Sequence, residues 1–314
     1  MMEKTRFALS YAFLRVGFPM TKTHAPERAA WIALAVLTVV WSLNWTVMKW
    51  ALDFSGPFTF SALRYLFGTA VLFALLALRR ESFALPPLLP TVLIGLAQTT
   101  GFQALVQWAL VGGGAGKTAL LAYTLPFWMV PLAWWWLHEK PRAAQWISIA
   151  LAAIGLTFVI EPWHAMGSLL STGLALAGGL AWAIGTVISK RVFQRDRTVT
   201  PLQLTAWQML FGTLVLCAIA VIVPERATAW TWPFIGALAY NALLSSGIGW
   251  VLWLVIVHRL STQVAGLTSL LVPIAGVLFA WLLLNERPDV AEWIGIGLIG
   301  IALVSLNFTR RVSG

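Results

Sequence analysis

Cysteine is nearly absent from this sequence: Cys217 is the one copy, and it sits inside an apolar run. No internal disulfide can form, so no disulfide framework holds the fold. A lone thiol in apolar surroundings is a small packing residue. Histidine is scarce too, with four copies. They fall in loops or at the ends of apolar runs, without metal-ligand spacing. No metal and no cofactor is expected. Charge is the third shortage. Asp, Glu, Lys and Arg make up 10% of the 314 residues, where a soluble domain carries about a quarter. A chain this poor in charge and 60% hydrophobic has too little polar surface for one water-soluble core. It reads as an all-α integral membrane protein.

What charge there is leans basic, with a formal net of +10. A basic balance suggests nucleic acid only where the cations form a patch or stripe. Here they sit in short clusters between apolar runs, which is the pattern of membrane orientation. No nucleic-acid partner is expected; the lipid bilayer is.

Ten apolar runs follow one another: 30–51, 57–78, 88–110, 117–137, 143–160, 169–190, 202–223, 232–257, 263–284 and 291–308. Each can cross roughly 30 Å of hydrocarbon as a helix, the fifth and tenth barely. Breakers such as Ser55-Gly56-Pro57, Pro86-Pro87 and Pro201 separate them. With the N-terminus in the cytoplasm, the outer loops hold only Lys117, Arg226 and Arg287 of the Lys and Arg, and the inner segments hold nearly all the others. Both termini are therefore expected inside, with residues 1–28 and 309–314 as cytoplasmic tails. Phe7–Phe18 imitates a signal peptide. Arg15 interrupts it and no small-x-small cleavage site follows. Met1 and Met20 both stand as possible starts.

The chain contains itself twice. Pro126–Leu156 aligns without a gap on Pro273–Leu303. Pro126 meets Pro273, Trp134 meets Trp281, Glu139 meets Glu286, Pro141 meets Pro288 and Trp146 meets Trp293. Shared Leu and Ala are cheap in apolar sequence; shared Trp, Glu and Pro at fixed spacing are not. Leu66-Phe67-Gly68-Thr69 recurs as Leu210-Phe211-Gly212-Thr213, each at the same distance after Pro57 or Pro201. The Trp41…Lys49 pattern echoes Trp182…Lys190. The reading is ten transmembrane helices in two five-helix repeats, 29–161 and 162–308. An odd number of helices turns the second repeat upside down. Inverted repeats are a transporter signature, with the substrate site near the midplane between the halves.

Five-plus-five helices, the E-[KR]-P turn at Glu139–Pro141 and Glu286–Pro288, and an aromatic- and glycine-rich apolar chain resemble the drug/metabolite transporter superfamily, in its EamA-type members. Within it, the Trp-rich chain looks like the aromatic amino acid exporters of the YddG type. The resemblance covers about residues 30–308. It implies a monomeric secondary transporter of the cytoplasmic (inner) membrane that exports amino acids, aromatic or large apolar ones, by alternating access. Another small metabolite, such as a sugar phosphate or nucleotide sugar, is the alternative cargo. A channel is a further one.

The residues supply candidates. None of the 11 acidic residues lies mid-membrane, which argues against a buried carboxylate relay and leaves energy coupling open. Glu139 and Glu286 precede Pro141 and Pro288 and read as structural turns, each carboxylate at the positive end of the helix that follows. Arg64 lies about 10 Å into the second helix. It either holds a substrate carboxylate or serves structure, by snorkelling or by pairing with Asp53. Gln208 occupies the matching place in the second repeat. Lys49, nearer a helix end, reads as a snorkelling residue.

Thr99, Gln103 and Gln107 recur at four-residue spacing, as do Asn241, Ser245 and Gly249. Each set lies on one helix face that must look into a cavity or a helix contact. Tyr123, Tyr240, Trp41, Trp45 and Trp182 can line the same space. Pro126 and Pro273 fall inside the fourth and ninth helices, as gating points or static kinks. Gly112–Thr118 imitates a phosphate loop, but Val111 stands where the first glycine belongs. No ATP site is expected, so transport follows a gradient. An intramembrane enzyme would need a nucleophile–base pair or metal ligands at membrane depth, and the sequence offers neither.

Overall fold

The structure is a computed structural model that describes residues 25–113, 115–141, 143–160, 168–276 and 290–311. Those residues form helices and connecting turns, with no strand among them. Helix α1 spans Ala25–Ala51, α2 Pro57–Arg79 and α3 Leu88–Gly112. Helix α4 comes in two pieces, Ala115–Ala122 and Leu125–Leu137. Helix α5 spans Ala143–Ile160, α6 Leu169–Arg195, α7 Pro201–Ile222 and α8 Trp232–Arg259. Helix α9 spans Thr262–Gly276 and α10 Val290–Arg311. Among the described residues, seven helices are long and apolar enough to cross a membrane. Shorter apolar helices at Gln145–Phe158, Thr262–Gly276 and Trp293–Ala302 accompany them. Helix α1 begins at Ala25, earlier than the apolar run that starts near residue 30.

In hydrocarbon every backbone group must find a partner inside the protein. Helices supply this along their length and leave it undone at their ends. Here long-range side chains complete the ends. Lys49 Nζ donates to Leu110 O (2.6 Å) and to Gly113 O (3.0 Å), at and just past the C-terminal end of α3. Lys190 Nζ does the same at the end of α8, to Val257 O (2.9 Å) and Leu260 O (2.6 Å). Lys49 is thus a cap, not a snorkelling residue: a cation at a helix C-terminus meets the negative end of the dipole. Glu225 accepts from the Phe58 N–H (2.8 Å) and the Thr59 N–H (2.7 Å) at the start of α2.

Glu139 corrects the sequence reading in one respect. It is a cap, but of a different helix. It accepts from the Thr262 N–H (3.1 Å) and the Thr262 hydroxyl (3.3 Å), at the start of α9 rather than of α5. Pro141 lies just outside α5, which begins at Ala143. Glu286 and Pro288 lie outside the described residues.

Two irregularities recur in both halves. Helix α3 carries a π-helical stretch at Gly95–Gly101, and α8 carries one at Tyr240–Ile248. Helix α4 breaks at Tyr123–Thr124 just before Pro126, and α9 breaks at Ser269–Leu270 just before Pro273. Each proline thus follows a break in its helix by two or three residues. Pro126 sits in the first turn of the second piece of α4, where its missing N–H costs nothing. Close crossings bring the halves together. A Cβ on Gly212 of α7 would come 2.5 Å from Gly95 O of α3. Small residues let helix backbones approach where apolar lipid gives no hydrophobic drive.

Candidate functional site

The site grows from α1. Trp41, Asn44, Trp45 and Met48 repeat at three- and four-residue spacing, so they form one stripe. That stripe faces Arg64 and Tyr65 of α2, Phe102 and Gln103 of α3, Tyr123 at the break in α4, Trp182 of α6, and Ser245 and Trp250 of α8. Together they line a cavity of about 30 Å³. That is room for about two waters. Anything the size of an amino acid must displace the walls.

Aromatic rings make one side. Trp182, 1% exposed, is the hub. Its ring lies 5.4 Å from Trp41, 5.0 Å from Phe102, 5.4 Å from Tyr123 and 5.9 Å from Trp250, centroid to centroid. The Trp41–Trp182 and Tyr123–Trp182 pairs meet edge to face, the arrangement that matches positive ring edges to negative faces. Trp253 backs the cluster at 5.1 Å from Trp182.

Polar groups make the other side. Arg64 is 2% exposed. Its Nε donates to Ser246 Oγ (2.8 Å), its Nη2 to Ser245 Oγ (3.1 Å), and its Nη1 points at Met48 Sδ. It neither snorkels nor pairs with Asp53, which is exposed. No carboxylate lies in ion-pair range of Arg64 among the described residues. Neutral hydroxyls and a thioether are poor compensation for a buried guanidinium. Beside it runs a short chain of neutral hydrogen bonds. Trp250 Nε1 donates to Tyr65 Oη (2.8 Å), and Tyr65 Oη donates to Gln103 Oε1 (3.3 Å). Trp41 Nε1 donates to Ser245 O (3.2 Å).

The structure brings Trp41, Arg64, Gln103, Tyr123, Trp182 and Ser245 to one cavity. It places the other candidates elsewhere. Thr99 Oγ1 donates to Gln208 Oε1 (2.9 Å), so these two join α3 to α7. Tyr240 Oη donates to Val40 O (2.6 Å) on α1. Asn241 turns its amide back on its own helix, to Ala237 O (3.0 Å). Gln107 is fully buried, with neither amide atom hydrogen-bonded. The expected single face of Thr99, Gln103 and Gln107 is split because Thr99 lies in the π-helical stretch of α3. A π turn takes more residues than an α turn, so four-residue spacing no longer stays in phase. Asn44, Met48, Tyr65, Phe102 and Trp250 were not among the expected residues. The α1 stripe was open to detection by its helical spacing. Phe102 and Trp250, apolar residues in apolar runs, carried no signal.

A bundle of long apolar helices closed around a cavity that joins an aromatic cage to a buried cation is the build of a multi-pass membrane transporter. The chain matches the EamA-like transporter family over residues 29–161 and 169–308, and it belongs to that family. It is similar to the uncharacterized transporter YoaV of Bacillus subtilis (strain 168), 26% identical over 288 residues, covering 89% of this chain and 98% of the relative. It is also similar to a probable amino-acid metabolite efflux pump of Escherichia coli (strain K12), 28% identical, covering 89% and 95%. The uncharacterized inner membrane transporter YedA of the same strain is 26% identical, covering 88% and 90%. One solved crystal structure superposes with a TM-score of 0.76 at 20% identity, over 91% of this chain and 99% of the other, a likeness of fold. The protein is a multi-pass inner-membrane protein, and a transporter by family.

Proposed function

We propose that the protein exports amino acids with aromatic or large apolar side chains, by alternating access around the cavity at Arg64 and Trp182. The observation that carries this reading is Arg64. It is a buried guanidinium with no carboxylate partner among the described residues, set against an aromatic cage. An intramembrane ionisable group marks a functional site by default. A planar fork of donors suits a carboxylate, and the rings suit an apolar side chain. The name of the Escherichia coli relative, a probable amino-acid metabolite efflux pump, agrees with this cargo.

The proposal includes the membrane topology. Ten helices cross as two inverted five-helix repeats, 29–161 and 162–308, with both termini cytoplasmic. The basic residues clustered at one set of helix ends support it. The chain acts as a monomer, and transport follows a gradient.

The test is counterflow into proteoliposomes that hold the purified full chain. Saturable exchange of labelled phenylalanine or tryptophan is expected. Exchange of a sugar phosphate with no exchange of either amino acid would overturn the cargo assignment. Conduction without saturation would make the protein a channel. A reporter fused after Gly314 is expected to report a cytoplasmic end; an outside end would overturn the topology.

A further inference from the structure

We infer that Asn44 is a specificity residue of this cavity, and that it reads the ammonium group of the substrate. The inference deepens the amino acid reading above and rests on it. Asn44 is 6% exposed and lies on the cavity wall. Its amide oxygen is buried and takes no hydrogen bond. A buried acceptor left unsatisfied carries the whole desolvation cost of that group. Several buried polar atoms among the described residues lack a partner, but of the acceptors only Asn44 Oδ1 belongs to a residue of the cavity wall.

The neighbouring acceptors on the wall already have donors. Gln103 Oε1 takes the Tyr65 hydroxyl, Tyr65 Oη takes the Trp250 indole, and Ser245 O takes the Trp41 indole. Ser245 Oγ takes Arg64. Asn44 therefore stands out on this wall as the residue whose acceptor has no donor. What arrives there should bring one.

Position says which donor. Asn44 lies one helical turn before Met48, and Arg64 Nη1 points at the Met48 sulfur. Residues four apart on a helix stand about 5–6 Å apart at Cβ. Arg64 and Asn44 thus line the same cavity, with Met48 between them. The two charged ends of an α-amino acid are separated by a single tetrahedral carbon. A carboxylate on Arg64 places its ammonium on the α1 side, where Asn44 Oδ1 accepts. Trp45 and Tyr123 line the same cavity, and aromatic rings favour a cation. The cargo is then a zwitterion, not a simple organic anion.

The experiment compares two probes on the purified full chain: phenylalanine, and 3-phenylpropionate, which keeps the carboxylate and ring but lacks the amine. The parent should bind phenylalanine tenfold or more tighter, the scale of a hydrogen bond to a charged group. Asn44→Leu, close in size, should bring the two within about twofold by weakening phenylalanine alone. Asn44→Asp, which keeps the acceptor, should preserve the preference. Should Asn44→Leu not stay monodisperse, Asn44→Ala replaces it with the same expectation. A variant that keeps the parent's ratio overturns the inference. So does an equal loss for both probes, which would mean that Asn44 donates to the carboxylate instead. A parent that binds neither probe sinks the amino acid reading, and the role of Asn44 with it.

Discussion

Arg64→Gln separates a substrate-binding arginine from a structural one. The variant removes the charge and keeps an amide of similar reach, and the second repeat already holds Gln208 at the matching place, buried. Two effects compete. Arg64 donates to the Ser245 and Ser246 hydroxyls at 3.1 and 2.8 Å, and losing such bonds destabilises. Yet a buried guanidinium without a carboxylate carries a desolvation penalty of several kcal/mol, and losing that stabilises. The two effects are of similar size, because two hydroxyl bonds to a charge at about 1.5–3 kcal/mol each nearly offset that penalty. The variant's melting midpoint in detergent should therefore stay close to the parent's. Substrate affinity should fall. A hydrogen bond to the carboxylate is worth about 1.5–3 kcal/mol, or roughly a 10- to 150-fold rise in Kd.

The assay is binding of an amino acid and of its amide, by calorimetry on the solubilised chain. The free acid should lose affinity for the variant, and the amide should bind both proteins nearly alike. Equal discrimination between acid and amide by parent and variant would refute the argument. A midpoint several degrees lower in the variant, with that discrimination intact, would make Arg64 a fixture of the α2–α8 contact.

Gly212→Ala puts a methyl group against Thr99 and 2.5 Å from Gly95 O, a backbone atom that cannot rotate away. A loss of about 1–3 kcal/mol is expected, read as a lower melting midpoint, with Gly236→Ala, which has nothing within 4 Å, as the unaffected control. Glu139→Ala removes the carboxylate that accepts from Thr262 at the start of α9 while the N-cap Ser261 stays, and should cost about 1 kcal/mol with substrate affinity unchanged. Transport that loses its pH dependence in Glu139→Gln would instead place proton transfer on this carboxylate.

The parts that could be read from sequence alone were those that local pattern decides. Apolar run lengths and the prolines between them located the helices, because a membrane helix closes its own backbone hydrogen bonds. The duplication was visible in Trp, Glu and Pro, the residues that apolar drift does not copy. The site was half legible. Arg64 and Gln103 declared themselves as polar groups in apolar runs, and Trp41 by its echo in Trp182. The misreadings have one cause each. Thr99 was joined to Gln103 by a 3.6-residue period that the π turn at Gly95–Gly101 breaks, whereas Gln107 shares the regular helix of Gln103 and simply lies beyond the cavity. Lys49 and Lys190 were recognised as a repeated pair, but their acceptor carbonyls lie 61 to 70 residues away in sequence. Glu139 was given to the nearest helix because its true partner, Thr262, lies 123 residues on. Asn44 passed unnoticed because its importance lies in what it fails to touch.

Opening the cavity for an amino acid requires some helices to move, and the polar contacts indicate which pair stays put. Helices α2 and α7 are bound along their whole length. Glu225 caps the start of α2. Thr200, at the start of α7, donates to Glu81 (2.8 Å), and Gln203 donates to Ala84 O (2.6 Å), both just beyond α2. Midway, Thr69 and Thr213 share a hydrogen bond of 3.2 Å. Each charged link is worth about 1.5–3 kcal/mol, so parting this pair is costly. Helix α4 offers a cheaper route. Its helical hydrogen bonding is already interrupted at Tyr123–Thr124, and Tyr123 stands on the cavity wall against Trp182 at 5.4 Å. A bend there swings an aromatic wall without undoing a cap. Joining α2 to α7 should then leave transport intact. Thr69→Cys with Thr213→Cys, in a Cys217→Ala background, can be bridged by a short thiosulfonate spacer. Counterflow should persist after bridging. Counterflow that stops on bridging and returns on reduction would show that α2 and α7 slide past one another in the cycle, and the break in α4 would then be a static bend.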